Sequence, residues 1–102
     1  MSYVDDLSDI TFDAEGEDGG LVRRMIARRS WTDGAWAPVM IVFEERSRDR
    51  ESWRAPKVMV LRMRRAGDGW KKQSSVTLPA AHALGLCGEL ELVASKLATG
   101  AD

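Results

Sequence analysis

The residues of this chain with types and spacing suited to chemistry are its four tryptophans and a spread of arginines. Trp31, Trp36, Trp53 and Trp70 fall at the ends of short strand-like runs or in the long loop between them. Arg24, Arg28, Arg62, Arg64 and Lys71 lie along those runs, with Gln73 close behind. Cations that track phosphate, beside flat side chains on which bases stack, are what single-stranded nucleic acid requires, each stack contributing about 1–3 kcal/mol. A plainer reading of the same residues is structural. The tryptophans would cap the ends of a core, and the arginines, including Arg46, Arg48, Arg50 and Arg54 of the loop, would pair with Glu44, Glu45, Asp49 and Glu51.

Other chemistry finds little to work with. His82 is the single histidine and has no evident nucleophile beside it. Glu44-Glu45 and Glu89-x-Glu91 are acid pairs of the kind found on solvated faces, without the contrasting environments that separate two carboxyl pKa values for acid–base work. No phosphate-binding glycine loop, dinucleotide fingerprint or Cys/His zinc spacing occurs. The lone Cys87 rules out an internal disulfide framework and a thiolate cluster. The chain is therefore expected to be non-enzymatic, with no cofactor and no metal.

Charge is distributed unevenly. Residues 1–20 hold seven acids and no Lys or Arg, whereas the other 82 residues hold all 15 Lys and Arg against nine acids, a net of +6. An acidic segment beside a basic domain follows: a basic surface attracts polyanions, and the segment competes for it or serves only as a solubilising leader. With no apolar run of about 18 residues and no signal-peptide layout, the sequence points to a cytoplasmic protein without a membrane span.

These residues need elements to position them. Four runs, 21–31, 36–46, 57–65 and 70–78, have strand character. The first two flank Thr32-Asp33-Gly34-Ala35 and the last two Ala66-Gly67-Asp68-Gly69, both hairpin signals. Alternation places Val39, Ile41 and Phe43, then Met59, Leu61 and Met63, then Val76 and Leu78 on an inner face. The outer face then collects Arg24, Ile26 and Arg28, Met40 and Val42, Val58, Val60, Arg62 and Arg64, and Lys71, Gln73, Ser75 and Thr77. Residues 80–97 plot as an amphipathic helix with Leu86, Leu90, Val93 and Leu97 among its apolar positions. Residues 89–93 alternate and also read as a strand. The expectation is one α+β domain over 21–98. It has a four-stranded antiparallel sheet and one C-terminal helix, between a flexible segment 1–20 and a tail 99–102.

The ββββα order resembles the Pur-alpha, positive cofactor four and Whirly group. So do Lys57-Val58-Met59-Val60-Leu61-Arg62, the Gly-x-Gly turn after it and the Ser75-Val76-Thr77-Leu78-Pro79 join. The resemblance covers residues 21–97. It implies a curved sheet that binds single-stranded DNA or RNA and a homodimer formed through the helices. Arg62, Arg64, Lys71 and Gln73 would lie near nucleic acid, and Leu86, Leu90, Val93 and Leu97 at the packing face. Val76-Thr77-Leu78-Pro79, Leu84-Gly85-Leu86 and Glu89-Leu90-Glu91-Leu92 also look like the swapped-hairpin AbrB-type motif, which implies a duplex-binding regulator. A third expectation, a protein-interaction domain, would use exposed Met40, Val42, Val58 and Val60.

The leading expectation is a non-enzymatic single-strand-binding protein, such as a transcription or nucleic-acid-metabolism accessory factor. Its contacts would be Arg24, Arg28, Trp36, Trp53, Arg62, Arg64, Trp70, Lys71 and Gln73.

Overall fold

A computed structural model describes residues 3–47 and 52–99; Arg48, Asp49, Arg50 and Glu51 lie outside them. Alternating apolar residues build four long antiparallel strands, Leu21–Ser30, Trp36–Glu45, Lys57–Ala66 and Gly69–Pro79. Both expected hairpins form, and Gly34 and Gly67 sit at positive φ, where a side chain would be strained.

The sheet has six strands rather than four. The two extra ones come from the acidic segment expected to be a flexible leader: β1, Tyr3–Val4, and β2, Ala14–Glu15. Numbered in chain order, the long strands are β3 to β6, and the sheet runs β1-β6-β5-β4-β3-β2. Because β1 pairs with one edge and β2 with the other, residues 5–13 must cross the inner face of a curled sheet. The apolar exceptions in that segment explain the crossing. Ile10 is 1% exposed among Val39, Ile41, Leu61 and Met63, with Val4, Leu7 and Phe12 packed around it.

Polar groups fasten the crossing. Asp6 caps a short 3-10 turn, Leu7–Asp9, by accepting from the Ser8 amide and hydroxyl, both at 2.8 Å. Those bonds, the amide one foremost, hold the Asp6 carboxyl below its usual pKa. The Arg28 guanidinium donates to the Ser8 and Ile10 carbonyls at 2.9 and 2.7 Å. Arg23 donates to the Phe12 carbonyl at 2.8 Å, its guanidinium 3.8 Å from the Phe12 ring centre. Gly69 lets the segment approach β6, since a Cβ there would collide with the Tyr3 hydroxyl and the Val4 carbonyl oxygen.

Two bulges reassign the faces. Between Met25–Phe43 and Ala27–Val42, Ile26 is an extra residue on β3. Arg24 therefore shares the outer face with Glu44, while Arg28 turns inward opposite Ile41. Between Arg62–Ser74 and Met63–Lys72, Gln73 is the extra residue on β6. Val76 and Leu78, expected inside, consequently lie opposite Val60 and Val58 on the outer face, and Val76 is 53% exposed. Ser75 and Thr77, expected outside, stand opposite the inward Leu61 and Met59.

The C-terminal element is helical but divided. The helix α1 is Ala80–Leu92, Val93 breaks it at φ −112° and ψ 9°, and α2 is Ala94–Thr99. Residues 89–92 are thus helix, without the final strand an AbrB-type hairpin needs. Pro79 immediately precedes α1, and the Ala80 amide is satisfied by the Pro56 carbonyl at 3.1 Å. No residue of α1 is buried. Leu86, Leu90, Val93 and Leu97, expected to pack inward or against a partner, are all exposed in the single chain.

Candidate nucleic-acid interface

Strand register lines up one row of side chains across four strands. Tyr3 of β1 lies opposite Lys71 of β6, Lys71 opposite Arg64 of β5, and Arg64 opposite Trp36 of β4. Directly opposed residues share a face, so the outer surface carries an aromatic, two cations and an aromatic in sequence. The row beside it places Arg62 between Pro38 and Ser74. Trp31 joins its end, its amide donating to the Pro38 carbonyl at 3.3 Å, and its ring is exposed.

Trp36 is the fixed point of this cluster. The Arg62 guanidinium carbon lies 4.0 Å from its ring centre and that of Arg64 4.9 Å. Such stacking orients both guanidinium groups while leaving their charge in place. Among the described residues no carboxylate pairs with Arg62, Arg64 or Lys71, and all three side chains are exposed. The cluster thus combines uncompensated positive charge with a half-buried indole and two exposed aromatic rings.

The other expected contacts divide between different places. Arg24 and Trp53 form a second cluster, with the guanidinium of Arg24 3.9 Å and that of Arg46 5.1 Å from the Trp53 ring. Here Arg24 is bound to Glu44 at 2.8 Å, which cancels its charge. Glu44 is eight residues beyond Trp36 along β4, about 26 Å at the usual strand rise. The apolar residues Met40, Val42, Val58 and Val60 separate the two clusters. Gln73 is exposed at the β6 bulge, adjoining the first cluster.

Two of the expected contact residues do not reach this surface. Trp70 is 5% exposed within the inner core, with Arg65 stacked on it at 4.3 Å. Arg28 faces inward and is occupied by backbone carbonyls of the crossing segment. Conversely, Trp31 and Tyr3 belong to the outer rows, the first as one of the four tryptophans suited to stacking and the second without having been singled out. The exposed end-of-strand position of Trp31 was visible in the sequence. The place of Tyr3 depends on a long-range pairing that no local pattern announces.

No other constellation forms among the described residues. His82, Glu89 and Glu91 are exposed on α1, and no group of three metal-ligating side chains comes together. No helix is long and apolar enough to cross a membrane. At its apolar middle the outer face runs beneath α1, leaving a groove of about 480 Å³ walled by apolar atoms. No protein-family model, curated protein or solved structure matches the chain.

Proposed function

We propose that this protein is a cytoplasmic, non-enzymatic single-strand nucleic-acid-binding protein that works as a homodimer. The observation that carries this reading is the row Tyr3, Lys71, Arg64, Trp36, with Arg62 stacked on the same indole. Free cations would follow the phosphates, and the indole, phenol and guanidinium planes would accept bases by stacking. Phosphate contacts and stacking serve every base alike, so binding should have little sequence preference. The exposed apolar surface of the C-terminal helices supports the homodimeric part of the reading.

The test is fluorescence-anisotropy titration of labelled single-stranded and duplex oligonucleotides at two salt concentrations. Single strands should bind more tightly, and affinity should fall steeply with salt as counterions are released. Replacing Arg62 and Arg64 together with Ala should flatten the slope of log K against log salt by about 1.4, at roughly 0.7 per phosphate contact for single strands. Unchanged affinity in that double variant would remove the outer face from the proposal. Tighter binding to duplex would remove the single-strand preference.

A further inference from the structure

We propose that the groove between α1 and the outer sheet face binds one long-chain fatty acid, with its acyl chain under α1 and its carboxylate on Arg62. The floor of the groove is Met40, Val42, Val58 and Val60, and Leu86 and Leu90 stand on its helical wall. Its volume of about 480 Å³ lies in the usual range for small-molecule sites, about 300–1,000 Å³. The walls offer water no hydrogen-bonding group, and roomy cavities of that kind take up apolar guests.

Size limits the guest to a single chain. A methylene occupies roughly the space of a water molecule, about 30 Å³, so 480 Å³ holds on the order of 16 carbons. A two-chain membrane lipid would need about twice that room. Entry requires no unfolding, because no residue of α1 is buried and the helix can ride up over a chain.

Charge fixes the head group and its direction. Along β5 the outward residues are Val58, Val60, Arg62 and Arg64. The first cation therefore stands about 7 Å beyond the last apolar residue of the floor, two steps of the strand rise. Pro38, opposite Arg62, carries the apolar floor of β4 to the foot of Trp36. Among the described residues Arg62 has no carboxylate partner, and stacking on Trp36 holds its guanidinium in place. A fork of N–H donors held in this way receives a carboxylate through two parallel bonds. At the opposite end the outward residue after Val42 is Glu44, already bound to Arg24 at 2.8 Å. An anionic head thus meets an unpaired cation at one end and a carboxylate at the other, so it lies at Arg62. Such a ligand needs no nucleic acid, although both would draw on the charge of Arg62.

The test is isothermal titration calorimetry of the full chain with octanoate, dodecanoate and hexadecanoate, each kept below its micelle concentration. One molecule should bind per chain, with a negative heat-capacity change. Each added methylene should tighten binding by about two- to fourfold until the groove is full. Dodecanol, which has no charge, should bind more weakly than dodecanoate by up to about fivefold, the worth of one exposed ion pair. Arg62→Ala should remove that difference, and Val60→Asp, which places a charge on the groove floor, should abolish binding.

Binding that ignores chain length, or that survives in folded Val60→Asp, is adsorption elsewhere and overturns the proposal. Dodecanol that binds as tightly as dodecanoate overturns it too, since Arg62 then holds no head group. If Val60→Asp fails to fold, Ala83→Phe fills the groove from the helical wall, where no residue is buried. Unimpaired binding in that variant overturns the proposal. So does an absence of uptake at every chain length. Sedimentation equilibrium would then show a dimer where a second copy covers the face, and co-sedimentation with phosphatidylglycerol vesicles would show a bilayer in its place.

Discussion

The two faces of this sheet are made by the same alternation of residues but end in opposite situations. On the inner face Val39, Ile41 and Phe43 meet Met59, Leu61 and Met63, and Ile10 from the crossing segment covers them. On the outer face Met40, Val42, Val58 and Val60 have only the loosely seated α1 above them, and one end of that face carries Trp36, Arg62, Arg64 and Lys71. The difference lies in what the chain supplies as cover. An acidic segment with apolar residues at the right places closes one face, and a helix with no buried residue leaves the other open. Completeness on one side makes openness on the other informative, since the fold does not need the outer face for its own core.

Tryptophan gives the sharpest way to break this comparison, because Trp70 lies on the inner face and Trp36 on the outer. Trp70 sits in the inner core, so Trp70→Ala should lower unfolding stability by about 3–5 kcal/mol, the usual cost of emptying a large buried site. Trp36→Ala should leave stability nearly intact and weaken single-strand affinity by about 1–3 kcal/mol, the loss of one stack. Urea unfolding and anisotropy titration of both variants check the pair. A stable Trp70→Ala, or a Trp36→Ala that unfolds, would erase the distinction between the faces.

The sequence carried the strands, both hairpins, the inner positions of β4 and β5 and the general place of the helix, since period-two alternation and Gly-containing turns are local signals. It misled at two residues, Ile26 and Gln73. Each is a bulge, and one unpaired residue inverts the facing of every side chain beyond it. That is why Arg28 was expected outside and Val76 inside. The crossing segment was missed for another reason. Its acidity outweighed five scattered apolar residues in any compositional reading, and Ile10 matters only because β1 and β2 anchor to opposite edges. The basic cluster was half legible: Trp36, Arg62, Arg64 and Lys71 were named, whereas Tyr3 required the tertiary register.

Arginines allow a finer version of the same contrast. Arg28 holds the crossing segment through two carbonyls, so Arg28→Ala should cost stability, about 1.5–3 kcal/mol for hydrogen bonds from a charged group. Its effect on single-strand affinity, measured at a temperature where the variant remains folded, should be small. Arg62→Ala should do the reverse. If Arg28→Ala lowers affinity as much as Arg62→Ala while remaining as stable as the parent, the β3 bulge does not turn it inward.

The smallest expected effect concerns the strand ends beyond the apolar patch, where Lys57 donates to Glu45 at 2.8 Å. That hydrogen bond, together with the charge of Lys57, Arg23 and Arg54, outweighs a modest burial cost and holds the Glu45 carboxyl below its ordinary pKa. A carboxyl whose folded pKa is depressed binds fewer protons folded than unfolded through the intervening range. Its contribution is therefore complete above the unfolded value of about 4.3 and is lost as pH falls through the lower folded value. Both side chains are more than a third exposed, and solvent keeps such pairs to about 0.2–1 kcal/mol. Thermal unfolding followed from pH 6 down to pH 3 should therefore show a slightly shallower loss of stability in Glu45→Gln than in the parent. The two curves should converge at the acid end, where the parent carboxyl is also neutral. Asp6 is depressed in the same direction by its bonds to Ser8, so Glu45→Gln should retain part of the acid dependence. Removing the remainder with Asp6→Asn would assign it to the cap of the crossing segment on the inner face. A Glu45→Gln curve that runs parallel to the parent would show instead that the pair at the end of β4 adds nothing to the fold.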